Sequence, residues 1–196
     1  MDRFYVLLMG FLSVVLVNNF VFAKFLGTCP YLGVSNRIDS AFGMGLAVTF
    51  VTTLSGTLTW LVDAYMLTPL GLEITRYISY IVIIAGAVQL VEMYVRKFVP
   101  SLYDAFGIYL PLISTNCVIL GVCLFLDVWG IDTLLEAVVL STGTGIGFTV
   151  AICIMAGIRE ELMLADVPAA FKGAPITLIT AGLLALAFMG FAGMIR

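Results

Sequence analysis

Five stretches of this 196-residue chain run for twenty residues or more without a charged side chain: Phe4–Ala23, Ala41–Val62, Ala105–Leu126, Ala137–Ile158 and Gly173–Ile195. A sixth, Tyr77–Val91, is shorter and extends on both sides through Arg76 and Glu92. A helix of about 20 apolar residues crosses the hydrocarbon of a bilayer. The expected fold is therefore all-α integral membrane, with six transmembrane helices in a single membrane domain over residues 1–196. Composition agrees: 11% of residues are charged, against roughly 25% in a soluble domain, too few to cover a water-facing surface. The first stretch leads into no soluble domain, so it is expected to be a span and not a removable signal peptide.

The chain contains no histidine. A Ser-His or Cys-His catalytic pair, histidine-ligated zinc and histidine-ligated haem are thereby excluded. Nine Lys and Arg against twelve Asp and Glu leave a net charge of −3, and no basic patch can follow a nucleic-acid backbone, so no nucleic-acid partner is expected. Four cysteines among mostly apolar neighbours do not form a secreted disulfide framework. With six spans, Arg3, Arg76 and Arg196 share one side of the membrane. Lys24, Arg37, Arg96, Lys97, Arg159 and Lys172 share the other. The larger cationic set marks the cytoplasmic side. Both termini are then periplasmic in a bacterial inner (cytoplasmic) membrane.

The chain resembles itself. Cys29-Pro30-Tyr31-Leu32-Gly33 and Cys117-Val118-Ile119-Leu120-Gly121 share the pattern C-x-x-L-G, and Gly43-Met44-Gly45-Leu46 returns as Gly145-Ile146-Gly147-Phe148. Each half, about 1–98 and 99–196, orders a Cys-bearing span, a Gly-bearing span and a third span. Three spans per repeat invert the second half, giving two inverted three-helix repeats about an axis in the membrane plane. Pro30, Gly27, Gly33 and Pro111 suggest that the first and fourth spans are broken into half-helices. Irregular backbone at membrane depth requires burial in protein or a lined cavity. Asn18, Asn19, Thr28, Ser114, Thr115 and Asn116 are candidates to satisfy the freed amides and carbonyls. The plainer reading is an ordinary loop after the first span, with Cys29 near the surface.

Cys29 and Cys117 each open the repeated motif and are the candidate cofactor and metal ligands; no catalytic residue is identified. Thiolates hold iron–sulfur clusters, four of them for a [2Fe–2S] centre. Two are too few, so a second chain has to complete the set. Cys123 and Cys153 read as small buried hydrophobes. Gly143 and Gly147 have the spacing of close helix packing; the stretch Gly143-Thr144-Gly145-Ile146-Gly147 lacks the lysine ending of a phosphate loop. Lys24 either stabilises a nearby cluster's charge or snorkels to the interface. Glu92 and Arg96 form a helix-end pair by spacing, Asp63 and Asp127 fall at span ends within reach of solvent, and Arg159-Glu160-Glu161 with Asp166-Val167-Pro168 reads as a solvated cytoplasmic turn.

Val17-Asn18-Asn19-Phe20, Lys24-Phe25-Leu26-Gly27-Thr28-Cys29-Pro30, Thr115-Asn116-Cys117, Ala165-Asp166-Val167-Pro168 and Leu178-Ile179-Thr180-Ala181-Gly182-Leu183 closely resemble the A-subunit family of the bacterial Rnf electron-transport complex. The likeness runs nearly end to end. It extends to a sister family, the E subunit of the sodium-pumping NADH:quinone oxidoreductase, with the C-terminal stretch favouring the Rnf side. The resemblance implies six helices, with half-helices at the first and fourth spans, and a homologous Rnf E subunit inserted in the opposite orientation. It also implies one [2Fe–2S] cluster at mid-membrane with two cysteines from each subunit, here Cys29 and Cys117. Further Rnf subunits (B, C, D and G) would carry flavins and iron–sulfur clusters. The complex so implied would move electrons between ferredoxin and NAD and couple that to sodium or proton movement. The chain alone is no complete enzyme, since it has no nucleotide-binding motif and no residues for hydride transfer. The rival class is a secondary transporter built from inverted repeats; a blander one is an assembly scaffold whose cysteines only pack.

Overall fold

The computed structural model describes residues 2–67, 73–98, 116–131, 133–168 and 171–193. Among these, eight α-helices and no strand occur. They are α1 (Asp2–Leu12), α2 (Phe20–Lys24), α3 (Thr28–Val34), α4 (Ile38–Val62), α5 (Glu73–Phe98), α6 (Cys117–Val128), α7 (Leu134–Leu164) and α8 (Ala174–Met189). Among the described residues three segments are long and apolar enough to cross a membrane: Ile38–Met66, Arg76–Tyr94 and Leu134–Leu164. Arg76 and Glu92 lie inside α5, as the extension of the short stretch requires. Shorter apolar helices cover Tyr5–Val17, Cys117–Val128 and Ala174–Met189. Large apolar side chains such as Phe50, Val82 and Leu183 point outward from α4, α5 and α8, the pattern of helices whose solvent is lipid.

α4 and α7 pack antiparallel along their length and form the spine. Close approach is possible because glycines meet threonines at the crossing. A Cβ on Gly45 would lie 2.5 Å from Thr149 Cγ2, and one on Gly145 would lie 2.5 Å from Thr49 Cα. Each threonine returns its hydroxyl to the carbonyl one turn back, Thr49 to Gly45 at 2.8 Å and Thr149 to Gly145 at 2.9 Å. The two hydroxyls then meet each other at 3.1 Å. Both halves of this crossing thus use the same Gly-x-x-x-Thr element on opposite members of the pair. It aligns Gly45 with Gly145, two residues away from the Gly43–Gly145 register of the sequence repeat. The reason is that the threonine, which the short glycine pattern omits, sets the register. Gly143 and Gly147 face elsewhere, against Phe11 and Val15 of the first stretch, and are packing glycines.

That first stretch is interrupted. α1 passes into a π-helical turn at Ser13–Val17, and Asn18 and Asn19 leave the helix. After α2 the backbone turns left-handed at Phe25 (φ 54°) and again at Gly27 (φ 73°), from which α3 starts. The break lies ahead of Cys29-Pro30, not at it. Pro30 falls in the first turn of α3, where a missing N–H has no helical acceptor to lose. The stretch Ala105–Leu126 is described only from Asn116 onward; Pro111, Ser114 and Thr115 lie outside the described residues.

Two charged clusters mark the ends of the spine. At one, Arg76 reaches Asp63 at 3.0 Å and Asp127 at 2.5 Å. The carboxylates read singly as span ends in reach of solvent are joined through one guanidinium, which ties the ends of α4 and α6 to the start of α5. At the other end, Arg159 donates to the Leu32 carbonyl at 2.7 Å, to Ser35 Oγ at 2.8 Å and to Asn36 Oδ1. Its neighbour Glu160 accepts from the Ile38 amide at 2.9 Å. Arg159-Glu160-Glu161 is therefore the last part of α7, not a turn; only the chain after Leu164 leaves the helix. The cation sits on the carbonyl end of α3 and the carboxylate on the amide end of α4, each at the pole of the helix dipole that favours it.

Candidate cofactor site

α2 and α6 begin at buried asparagines and α3 at a glycine, because a helix starting inside the protein needs its first amides capped. Asn19 caps α2 by accepting from the Val21 amide at 3.0 Å, and Asn116 caps α6 by accepting from the Val118 amide at 3.0 Å. Asn19 also donates to the carbonyls of Val15, at 3.1 Å, and Gly147, at 2.8 Å, which fixes the break in the first stretch to the middle of α7. Of the described residues expected to satisfy the freed backbone, these two asparagines do so with their side chains. Asn18 bonds the Ser13 hydroxyl instead.

Cys29 is the second residue of α3 and Cys117 the first of α6. The turns that carry them touch. A Cβ on Gly27, two residues before Cys29, would meet Val118 Cγ2 at 2.5 Å and Asn116 Oδ1 at 3.0 Å, the residues on either side of Cys117. Only glycine serves here, for its left-handed φ and for the space. Cys29 and Cys117 are both exposed on the surface of the subunit, whereas Cys123 is buried and Cys153 partly so. Cys123 accepts a hydrogen bond from the Thr59 hydroxyl at 3.4 Å inside the core. The four cysteines thus divide by exposure: Cys29 and Cys117 lie at the surface, Cys123 is buried and Cys153 is partly buried.

Among the described residues no group of three or more His, Cys, Asp and Glu side chains is placed to hold a metal ion. The two exposed thiols form at most half of a four-thiolate set. One further feature belongs to the site. The side-chain nitrogen of Asn116, a residue 4% exposed, has no acceptor among the described residues. The sequence points to Asn116 through its capping oxygen and carries no sign that the amide is left over. Lys24 is exposed, with its ammonium 5.2 Å over the Phe125 ring. Phe125 lies in the last turn of α6, so the ammonium sits toward the Asp63–Arg76–Asp127 end and not, as the sequence grouping has it, with Arg37, Arg159 and Lys172.

The geometry defines a membrane protein of interrupted apolar helices with an exposed cysteine in the first turn of each of two helices whose starts adjoin. The chain belongs to the Rnf-Nqr subunit family of membrane proteins, whose family model matches residues 7–195. It is 52% identical over 187 residues to the A subunit of the ion-translocating oxidoreductase complex of Azoarcus sp. (strain BH72), covering 95% of this chain and 96% of that one. The protein of the same description from Erwinia tasmaniensis is 53% identical over 189 residues, 96% of this chain and 97% of the relative. That from Vibrio cholerae is 48% identical over 196 residues, the whole of both chains.

Proposed function

We propose that this chain is the A-type membrane subunit of an ion-translocating oxidoreductase complex, and that Cys29 and Cys117 supply half the ligands of a [2Fe–2S] cluster. The observation that carries the reading is the meeting of the turns that lead into Cys29 and Cys117, with both cysteines exposed. A structural cysteine is normally buried, as Cys123 is; two exposed thiols at adjoining helix starts suit a ligand shared with another chain. Bound there, the cluster would supply a one-electron relay inside the membrane between carriers on its two faces. The residues of this chain hold the thiols in place: Asn116 and Gly27 cap the two starts, and Arg159 anchors the far end of α3.

The partner in this reading is a homologous subunit of opposite orientation, the Rnf E subunit. The remaining subunits (B, C, D and G) link the pair to ferredoxin and NAD and to sodium or proton movement. Six crossings in two inverted three-helix repeats are the finer fold we assign. The mirrored Gly-x-x-x-Thr pairing of α4 with α7 supports that assignment, as do the paired asparagine caps. Co-expression tests the function: the pair should purify with iron and acid-labile sulfide, and this chain alone should not. A purified pair free of iron favours the secondary transporter; a homodimer with a complete cluster removes the need for the partner.

The orientation is a separate proposal. Arg37, Arg159 and Lys172 gather at the α3–α4 end of the spine, and Arg96 and Lys97 close α5 toward the same end. That end is assigned to the cytoplasm and both termini to the periplasm. A reporter fused after Arg196 should be active outside the cytoplasm, and one inserted between Asp166 and Lys172 inside it. Cytoplasmic activity at both positions would contradict the assignment.

A further inference from the structure

The two capping asparagines differ in one respect. Asn19 uses its side-chain nitrogen twice, on the carbonyls of Val15 and Gly147. Asn116 caps in the same way, at the same 3.0 Å, yet its nitrogen is buried and has no acceptor among the described residues. A buried donor without a partner bears the full loss of its hydration, so native structures seldom keep one without cause.

The position of the carboxamide narrows the cause. Its oxygen is held over the first turn of α6, the turn of Cys117, and lies 3.0 Å from where a side chain on Gly27 would begin. The buried carboxamide therefore lies beside both the turn that carries Cys117 and the glycine from which α3 leads to Cys29. We infer that the Asn116 side-chain amide donates a hydrogen bond to a sulfur of the cluster held by these two cysteines. The inference rests on the cluster reading given above and assigns a donor within it. An N–H···S bond favours the more negative, reduced form, so it raises the reduction potential. Gly27 is part of the device, since any side chain there would fill the space beside the amide.

The test uses the intact complex with asparagine carrying nitrogen-15 in its side-chain amide. Pulsed electron paramagnetic resonance of the reduced complex should show a nitrogen-15 coupling to the cluster that disappears in Asn116→Ser. Serine keeps a capping oxygen and removes the amide. The same variant should lower the reduction potential by about tenfold in the reduction equilibrium, which is about 59 mV for one electron. Asn19→Ser, whose amide is already engaged by Val15 and Gly147, should leave coupling and potential unchanged. A cluster present in Asn116→Ser with unaltered potential and coupling overturns the inference while leaving the cluster reading intact. If Asn116→Ser does not assemble, the labelled wild type decides: the coupling supports the donor, and its absence overturns it. A wild-type complex with no [2Fe–2S] signal removes the cluster reading itself, and the donor with it.

Discussion

Serine in place of either Cys29 or Cys117 is expected to abolish electron transfer through the assembled complex while leaving the complex intact. The substitution preserves size and exchanges a soft thiolate for a hydroxyl that ionises poorly and holds iron weakly. Both side chains are exposed in the subunit, so neither supports its core. Cys123→Ala and Cys153→Ala should behave in the opposite way. Cys123 is 1% exposed and packs in the core, so its loss should cost on the order of 1 kcal/mol or somewhat more in stability and leave turnover near wild type. Ferredoxin- or NADH-linked activity of the four variants, with subunit content checked on the same preparations, separates the two pairs. Equal activity in all four would remove the distinction between ligating and packing thiols.

The second large effect concerns the spine. Gly145→Val should prevent stable assembly, because its Cβ would fall 2.5 Å from Thr49 Cα, a backbone atom of α4 that cannot turn aside. Relieving the clash means separating α4 from α7 and breaking the Thr49–Thr149 contact at 3.1 Å. Overpacking of a well-packed core costs about 1–3 kcal/mol and occasionally more, and a clash with backbone belongs at the upper end. Gly86→Val on α5 is the control, since nothing among the described residues lies within 4 Å of a Cβ there. Yield and thermal midpoint of the detergent-purified complex should fall sharply for Gly145→Val and hold for Gly86→Val. A normal midpoint in both would mean that α4 and α7 do not meet as described.

Apolar runs, which depend only on local composition, are readable without the fold. Ala41–Val62 and Ala137–Ile158 each lie within one long helix, α4 and α7, and fall short of it only at charged ends that a hydropathy rule excludes. Arg159 and Glu160 illustrate the limit. A charged run after an apolar span resembles a loop, yet here it continues the helix because its partners, Leu32, Ser35, Asn36 and Ile38, lie more than a hundred residues earlier in the chain. The same holds for Arg76, which unites Asp63 and Asp127; taken one at a time, each charge looks like an isolated span end. The repeated C-x-x-L-G pattern singles out Cys29 and Cys117, the two exposed cysteines, from Cys123 and Cys153. Proline is the visible breaker beside Cys29, whereas the left-handed Phe25 and Gly27 form the break itself.

The central claim is that Cys29 and Cys117 ligate a [2Fe–2S] cluster, and the spectrum of the reduced, purified complex tests it most directly. The wild type and the Cys123→Ala, Cys153→Ala double variant should give the same [2Fe–2S] electron paramagnetic resonance signal from this site. The Cys29→Ser, Cys117→Ser double variant, with all subunits present, should lack it. An undiminished signal in that last preparation would contradict the account.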